Sequence, residues 1–169
     1  MGSRVLVAYA TRYGATAEIA EQIGRVLREA GLQVDVLPMA QVDNVEPYDA
    51  VVLGSAVYIG KWLREASAFL KAKADLLAER PVWLFSSGPT GEGDPVALLK
   101  GWRFPEGLRE LVERTRPRDV AVFHGRLDPE RLRFGARWII RRIQAPTGDF
   151  RDWGAIERWA RGIAAALST

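Results

Sequence analysis

Residues 4–16 read Arg4-Val5-Leu6-Val7-Ala8-Tyr9-Ala10-Thr11-Arg12-Tyr13-Gly14-Ala15-Thr16. The run Arg4–Ala10 is apolar almost throughout, as expected of a strand covered on both faces. It gives way at once to a short loop carrying two threonines and one glycine. From Thr16 to Ala30 the apolar residues Ile19, Ala20, Ile23, Leu27 and Ala30 recur at three- and four-residue steps, and Gly31 stops the helix they define. A buried strand turning tightly into an amphipathic helix is the opening of a parallel βα unit.

The same alternation continues outward. Strand-like runs fall at Leu32–Leu37, Ala50–Ser55, Val82–Ser87 and Asp119–Gly125, with helical patterns over Leu63–Leu77 and from about Asp152 to Leu167. Together these predict a doubly wound α/β fold with a five-stranded parallel sheet of order 2-1-3-4-5. Its ligand crevice would lie at the carboxyl ends of strands one and three. Gly88–Gly107, rich in Gly and Pro, and the stretch from 126 to 151 interrupt the pattern. With no internal repeat, low-complexity tract or linker, residues 1–169 are expected to form a single domain with an insertion at about 126–151.

Composition narrows the chemistry. Apolar residues make up 48% and charged residues 27% of the 169, the proportions of a globular protein. No apolar run reaches the ~18–20 residues of a spanning helix. The first strand begins at Arg4, so no signal peptide is expected and the cytoplasm is the expected location. There is no cysteine, which removes disulfide, thiolate and iron–sulfur chemistry, and His124 is the lone histidine. Any redox work must therefore fall to an organic cofactor. His124 closes the fifth strand, where it suits either a structural strand end or a proton acceptor beside the crevice.

The loop Thr11-Arg12-Tyr13-Gly14-Ala15-Thr16 has the parts of a phosphate site. A helix N-terminus presents unpaired N–H groups and the positive end of its dipole. Thr11 and Thr16 add hydroxyls, Gly14 permits close backbone approach, and Arg12 offers charge. A capped turn with no ligand uses the same residue types; position at the switch point of the sheet favours the phosphate reading. The Gly-Lys-Ser/Thr ending of a nucleoside triphosphate loop is missing, as is the G-x-G-x-x-G of a dinucleotide fold. A ligand with one terminal phosphate fits best.

Net charge is +3, but it is unevenly placed. Residues 126–151 hold seven arginines against three carboxylates, a local +4, so the remainder carries −1. A helix from about Glu130 to Gln144, advancing ~100° per residue, gathers Leu132, Ala136, Ile139, Ile140 and Ile143 on one stripe. Phe134 and Trp138 fall opposite, among Arg131, Arg137, Arg141 and Arg142. Such a face suits peripheral contact with an anionic membrane or a respiratory complex through Phe134, Arg137, Trp138 and Arg141. An ordinary helix whose arginine stems cover its aromatics has the same composition. No nucleic-acid motif accompanies the charge, so no nucleic-acid partner is expected.

Val7-x-Tyr9-x-Thr11-x-Tyr13-Gly14-x-Thr16-x-x-x-Ala20 resembles the signature of the flavodoxins, and Tyr48-Asp49-Ala50-Val51-Val52-Leu53-Gly54-Ser55 resembles their third strand. The resemblance implies a flavodoxin-like fold and one FMN, whose phosphate would lie in the loop Thr11, Arg12, Tyr13, Gly14, Ala15, Thr16. It places the flavin ring between the loops after strands three and four. The candidates there are Ser55, Ala56, Val57, Tyr58 and Gly60, with Ser87, Gly88, Pro89, Thr90 and Gly91 opposite. Tyr58 would be the stacking partner. Flavodoxins commonly stack a second aromatic from the fourth-strand loop, but none occurs between Ser86 and Gly101. The ring is therefore expected to be open on one face.

The C-terminal runs Phe123-His124-Gly125-Arg126-Leu127-Asp128, Arg137-Trp138-Ile139-Ile140-Arg141-Arg142-Ile143 and Thr147-Gly148-Asp149-Phe150-Arg151-Asp152-Trp153 are similar to those of the menaquinone-dependent protoporphyrinogen oxidases of flavodoxin type. That similarity implies FMN-dependent oxidation of protoporphyrinogen IX, with electrons passed to a quinone, as in heme biosynthesis. The residues themselves leave two alternatives open: a flavodoxin-type electron carrier, and a regulatory module that has kept the fold. They show no nucleophile–base pair and no carboxylate dyad, so no catalytic side chain is expected.

Overall fold

A computed structural model of the chain describes residues 3–58, 60–90, 93–98, 103–127 and 148–168. Strand β1 (Arg4–Ala10) leads into helix α1 (Ala15–Glu29), then β2 (Gln33–Pro38) and the long β3 (Ala50–Tyr58). A short β4 (Lys61–Trp62) precedes α2 (Arg64–Leu77) and β5 (Val82–Ser87). After these come α3 (Pro95–Leu98), α4 (Arg109–Thr115), β6 (Asp119–Phe123), the two-residue strands β7 (Arg126–Leu127) and β8 (Gly148–Asp149), and α5 (Trp153–Leu167).

The main sheet runs β2-β1-β3-β5-β6 with every pairing parallel. This is the expected order 2-1-3-4-5, its numbering shifted because β3 overruns its predicted end. Beyond Ser55 the chain stays extended to Tyr58 and folds back, pairing Val57 with Trp62 and Tyr58 with Lys61. The fold is flavodoxin-like.

Residues of one strand alternate between two cores, which is why the strands are apolar almost throughout. Val5, Val7, Ala50, Val52, Trp83 and Phe85 face α1 and α5. Leu6, Ala8, Val51, Leu53, Val82 and Leu84 face α2 and α4. Helix α1 contributes Ile19, Ala20, Ile23 and Leu27, the stripe read from sequence, and α5 contributes Ile156, Ala160 and Ile163.

Gly54 shows how tightly the first layer closes. A Cβ there would sit 1.9 Å from Cζ of Phe85, so only glycine admits the ring. Phe85 in turn packs with Phe123 and Trp159, ring centroids 5.5–6.0 Å apart.

One reading changes, and one falls outside the described residues. The stretch 88–107 was expected to be irregular, yet it holds the short α3, and α4 follows it without a strong periodic signal; its seven residues bury Val112 and Thr115. The helix expected over 130–144, with Phe134, Arg137, Trp138 and Arg141, lies outside the described residues. What is described of the insertion is its base, where Arg126 pairs with Asp149 and Leu127 with Gly148 in an antiparallel ribbon. Among the described residues, no helix is long and apolar enough to cross a membrane.

Candidate functional site

Register brings the predicted loops to one edge of the sheet. Ala10 on β1 pairs with Ser55 on β3, and Ser55 with Ser86 on β5. Ser87 pairs with Phe123 on β6. The chain therefore leaves the parallel sheet at Thr11, Val57, Gly88 and His124 along a single rim. From β1 it turns onto one face as α1, and from β3 it reaches the other face as α2. The crevice between these exits is the switch point of a doubly wound sheet.

The β1–α1 turn is held by one local bond: the Gly14 N–H donates to Oγ1 of Thr11 at 3.0 Å. Gly14 has a left-handed φ of 92° and caps α1 with no side-chain bond to the helix. The first turn of α1 thus offers its N–H groups without a side-chain competitor. Thr16 is 1% exposed at the base of that turn. The Tyr13 hydroxyl is buried and has no hydrogen-bond partner among the described residues. A bare helix N-terminus, a left-handed glycine and an unused buried hydroxyl form a donor set that suits a phosphate.

Arg12 is exposed, and its guanidinium lies 4.5 Å from the Tyr58 ring centroid and 5.7 Å from that of Tyr13. It therefore connects the β1–α1 turn to the end of β3 across the crevice, with cation–π attraction as the cause.

The opposite loops are braced from behind. Ser55 is fully buried; its hydroxyl donates to the Ala56 carbonyl and accepts from the Leu63 N–H. The Trp62 indole N–H donates to Oγ of Ser86 at 2.8 Å, and that hydroxyl reaches the Arg103 carbonyl at 3.3 Å. His124 is 7% exposed, with Nδ1 3.1 Å from the Pro89 carbonyl and Nε2 2.5 Å from that of Gly93. Gly88 and Gly125 donate backbone bonds to Phe123 and Pro89. His124 is thus occupied with the β5 loop, the structural alternative of the two open from sequence. Ala56, Val57, Tyr58, Gly88, Pro89 and Thr90 are half-buried, Gly60 is exposed and Ser87 is buried. Gly91 lies outside the described residues.

A charge cluster beside the β1–α1 turn escaped the sequence reading. Arg126 and Arg151 converge on Oε2 of Glu18, at 3.1 and 3.2 Å. Arg151 is 4% exposed in its side chain and also binds Asp149 at 2.7 Å. The hydrogen bond from Arg151 holds the Asp149 carboxyl below the usual carboxylate range, and the same bond holds the Arg151 guanidinium higher than usual. More than a hundred residues separate these arginines from Glu18, so only the surplus of arginine in 126–151 hinted at them. Among the described residues, no cluster of three metal-ligating side chains occurs.

These features define a doubly wound α/β protein with an uncapped helix N-terminus at its switch point. The model of the flavodoxin-domain family matches residues 6–153, and the chain belongs to that family. Its cofactor is FMN. It is 28% identical to the protoporphyrinogen IX dehydrogenase [quinone] of Escherichia coli K12, over 95% of this chain and 94% of that protein. It is 32% identical to an NAD(P)H dehydrogenase (quinone) of Paraburkholderia phymatum, over 40% of this chain and 45% of that protein. The Streptococcus pneumoniae TIGR4 flavodoxin superposes with a TM-score of 0.65 at 19% identity, covering 98% of this chain and all of that one, which shows the common fold.

Proposed function

We propose that this protein is an FMN-dependent oxidoreductase that oxidises protoporphyrinogen IX with a quinone as electron acceptor. The observation that carries this reading is the end-to-end similarity to the Escherichia coli enzyme of that name, which includes the insertion that separates the chain from a plain flavodoxin pattern. The Thr11–Thr16 turn would hold the FMN phosphate through its backbone N–H groups. Ala56, Val57, Tyr58 and Gly60, together with Ser87, Gly88, Pro89, Thr90 and Gly91 from the next loop, would hold the ring edge. FMN supplies reversible electron transfer once bound. The protein's share is position: Ser55, Trp62 and His124 stiffen the ring-side loops, and Arg12 on Tyr58 borders the entrance. The sequence between Ser86 and Gly101 holds no aromatic to stack opposite Tyr58, which would leave room for a flat tetrapyrrole or quinone. The arginine-rich insertion, with Phe134 and Trp138, would meet an anionic membrane surface where quinone is found.

The test is an anaerobic assay of the FMN-loaded protein with protoporphyrinogen IX and a menaquinone analogue. Quinone-dependent appearance of protoporphyrin fluorescence is expected. A protein that exchanges electrons with a flavodoxin reductase yet leaves protoporphyrinogen untouched would be an electron carrier, and the proposal would fail.

A further inference from the structure

The β1–α1 turn contains one charged residue, Arg12, whose guanidinium is stacked on Tyr58. The basic group set against the turn comes from the other end of the chain. Nη2 of Arg126 lies 3.5 Å from the Tyr13 carbonyl and 4.0 Å from where a Cβ on Gly14 would stand. It therefore sits over the left-handed residue that opens α1, and its side chain is only 17% exposed.

That position is built. Nη1 of Arg126 is tied to Glu18 at 3.1 Å, and Glu18 is gripped from the other side by Arg151 at 3.2 Å. Arg151 is fixed by Asp149 and reaches the Ala15 carbonyl at 3.4 Å. Arg126 and Asp149 are themselves paired in the β7–β8 ribbon. Glu18 stands in the first turn of α1, where a carboxylate suits the helix dipole but opposes a second anion. The two arginines offset that carboxylate. The Nη2 contact to Tyr13 is long for a hydrogen bond, so it holds that nitrogen weakly.

We propose that Arg126 is the charged ligand of the FMN phosphate, held at the turn by Glu18 and Arg151, so that the base of the insertion selects FMN over the unphosphorylated flavin. The proposal rests on reading Thr11–Thr16 as the phosphate loop. A hydrogen bond to an ionised partner is worth enough to change affinity by about 10- to 100-fold.

The experiment titrates the flavin-free full-length chain with FMN and with riboflavin, following the quenching of flavin fluorescence. Arg126→Leu should weaken FMN about 10- to 100-fold and riboflavin less than about threefold. Arg126→Lys should keep most of the preference, because a point charge remains. Arg126→Gln keeps polar reach without charge and should match the Leu variant, so it carries the test if Arg126→Leu fails to fold. Equal weakening of both flavins, or of neither, would overturn the proposal. A wild type that does not prefer FMN would overturn the phosphate-loop reading as well. A wild type that prefers FMN, with variants that prefer it as strongly, would overturn the role of Arg126 alone.

Discussion

At the β1–α1 end of the crevice the chain presents main-chain N–H groups and fixed charge, whereas across from it the loops after β3 and β5 are held by side chains bonded to backbone. The first end has one local bond, from Gly14 to Thr11, and takes its charge from Arg126 and Arg151 on a distant segment. The second is a mesh: Trp62 to Ser86 to Arg103, Ser55 to Leu63, and His124 between Pro89 and Gly93. A phosphate is bound by charge and donors that many side-chain shapes around it can accommodate. A flat ring is bound by the spacing of its walls. The β1–α1 end should therefore be sensitive to charge and tolerant of shape, and the ring end the reverse.

The largest effect should come from Thr16→Glu, which sets a carboxylate in the turn where Thr16 is 1% exposed. FMN affinity should fall at least about 100-fold, equivalent to about 2.7 kcal/mol. Riboflavin should suffer much less, as paired fluorescence titrations would show. A loss below about threefold for FMN would mean that this end does not work by charge.

Gly54→Ala attacks the layer beneath both ends. With Phe85 Cζ 1.9 Å from the new methyl, overpacking should lower stability by about 2–3 kcal/mol. The urea midpoint reads this, and both flavins should weaken by the same factor. An unchanged midpoint would show that the aromatic layer yields more readily than its packing suggests.

A smaller change is expected from Trp62→Phe, which removes the 2.8 Å bond to Ser86 at a cost of about 1 kcal/mol. The visible flavin spectrum should shift because the ring-side wall moves, while the ratio of FMN to riboflavin affinity stays constant. If the ratio changes and the spectrum does not, the two ends are not separable in the way described.

Asp149→Asn should have the smallest effect. The folded Asp149 carboxyl titrates below its ordinary value because of the Arg151 bond. Its stabilisation is therefore complete above the unfolded carboxylate pKa of about 4 and is lost as pH falls through the lower folded value. Because the Asp149 side chain is 44% exposed, solvent screening limits the contribution to under about 1 kcal/mol. Melting curves of wild type and variant should differ at pH 7 and pH 5, begin to approach each other below about pH 4, and converge only once pH has fallen through the lower folded value. A difference that persists well below that folded value would assign the effect to packing.

Legibility from sequence followed the range of the interactions. Strands β1 and β5 begin and end where their apolar runs do, because burial on both faces writes itself into consecutive residues. β3 runs past its apolar run, since Val57 and Tyr58 stay extended only by pairing with Trp62 and Lys61, and β6 stops at Phe123, short of the expected Gly125. Helix α4 carries too few turns for periodicity to stand out. The β1–α1 turn was legible because its residues, Thr11–Gly14, form one contiguous segment between strand and helix.

The sequence by itself determined the layered α/β plan and the order of its strands, both of which rest on periodicities and motifs of neighbouring residues. Only the tertiary structure decided what His124 touches, how Trp62 reaches Ser86, and that Arg126 and Arg151 close on Glu18. Those contacts join segments up to 133 residues apart. Local pattern carries no trace of such pairings, because a side chain's distant partner is set by the packing of the whole sheet and its helices.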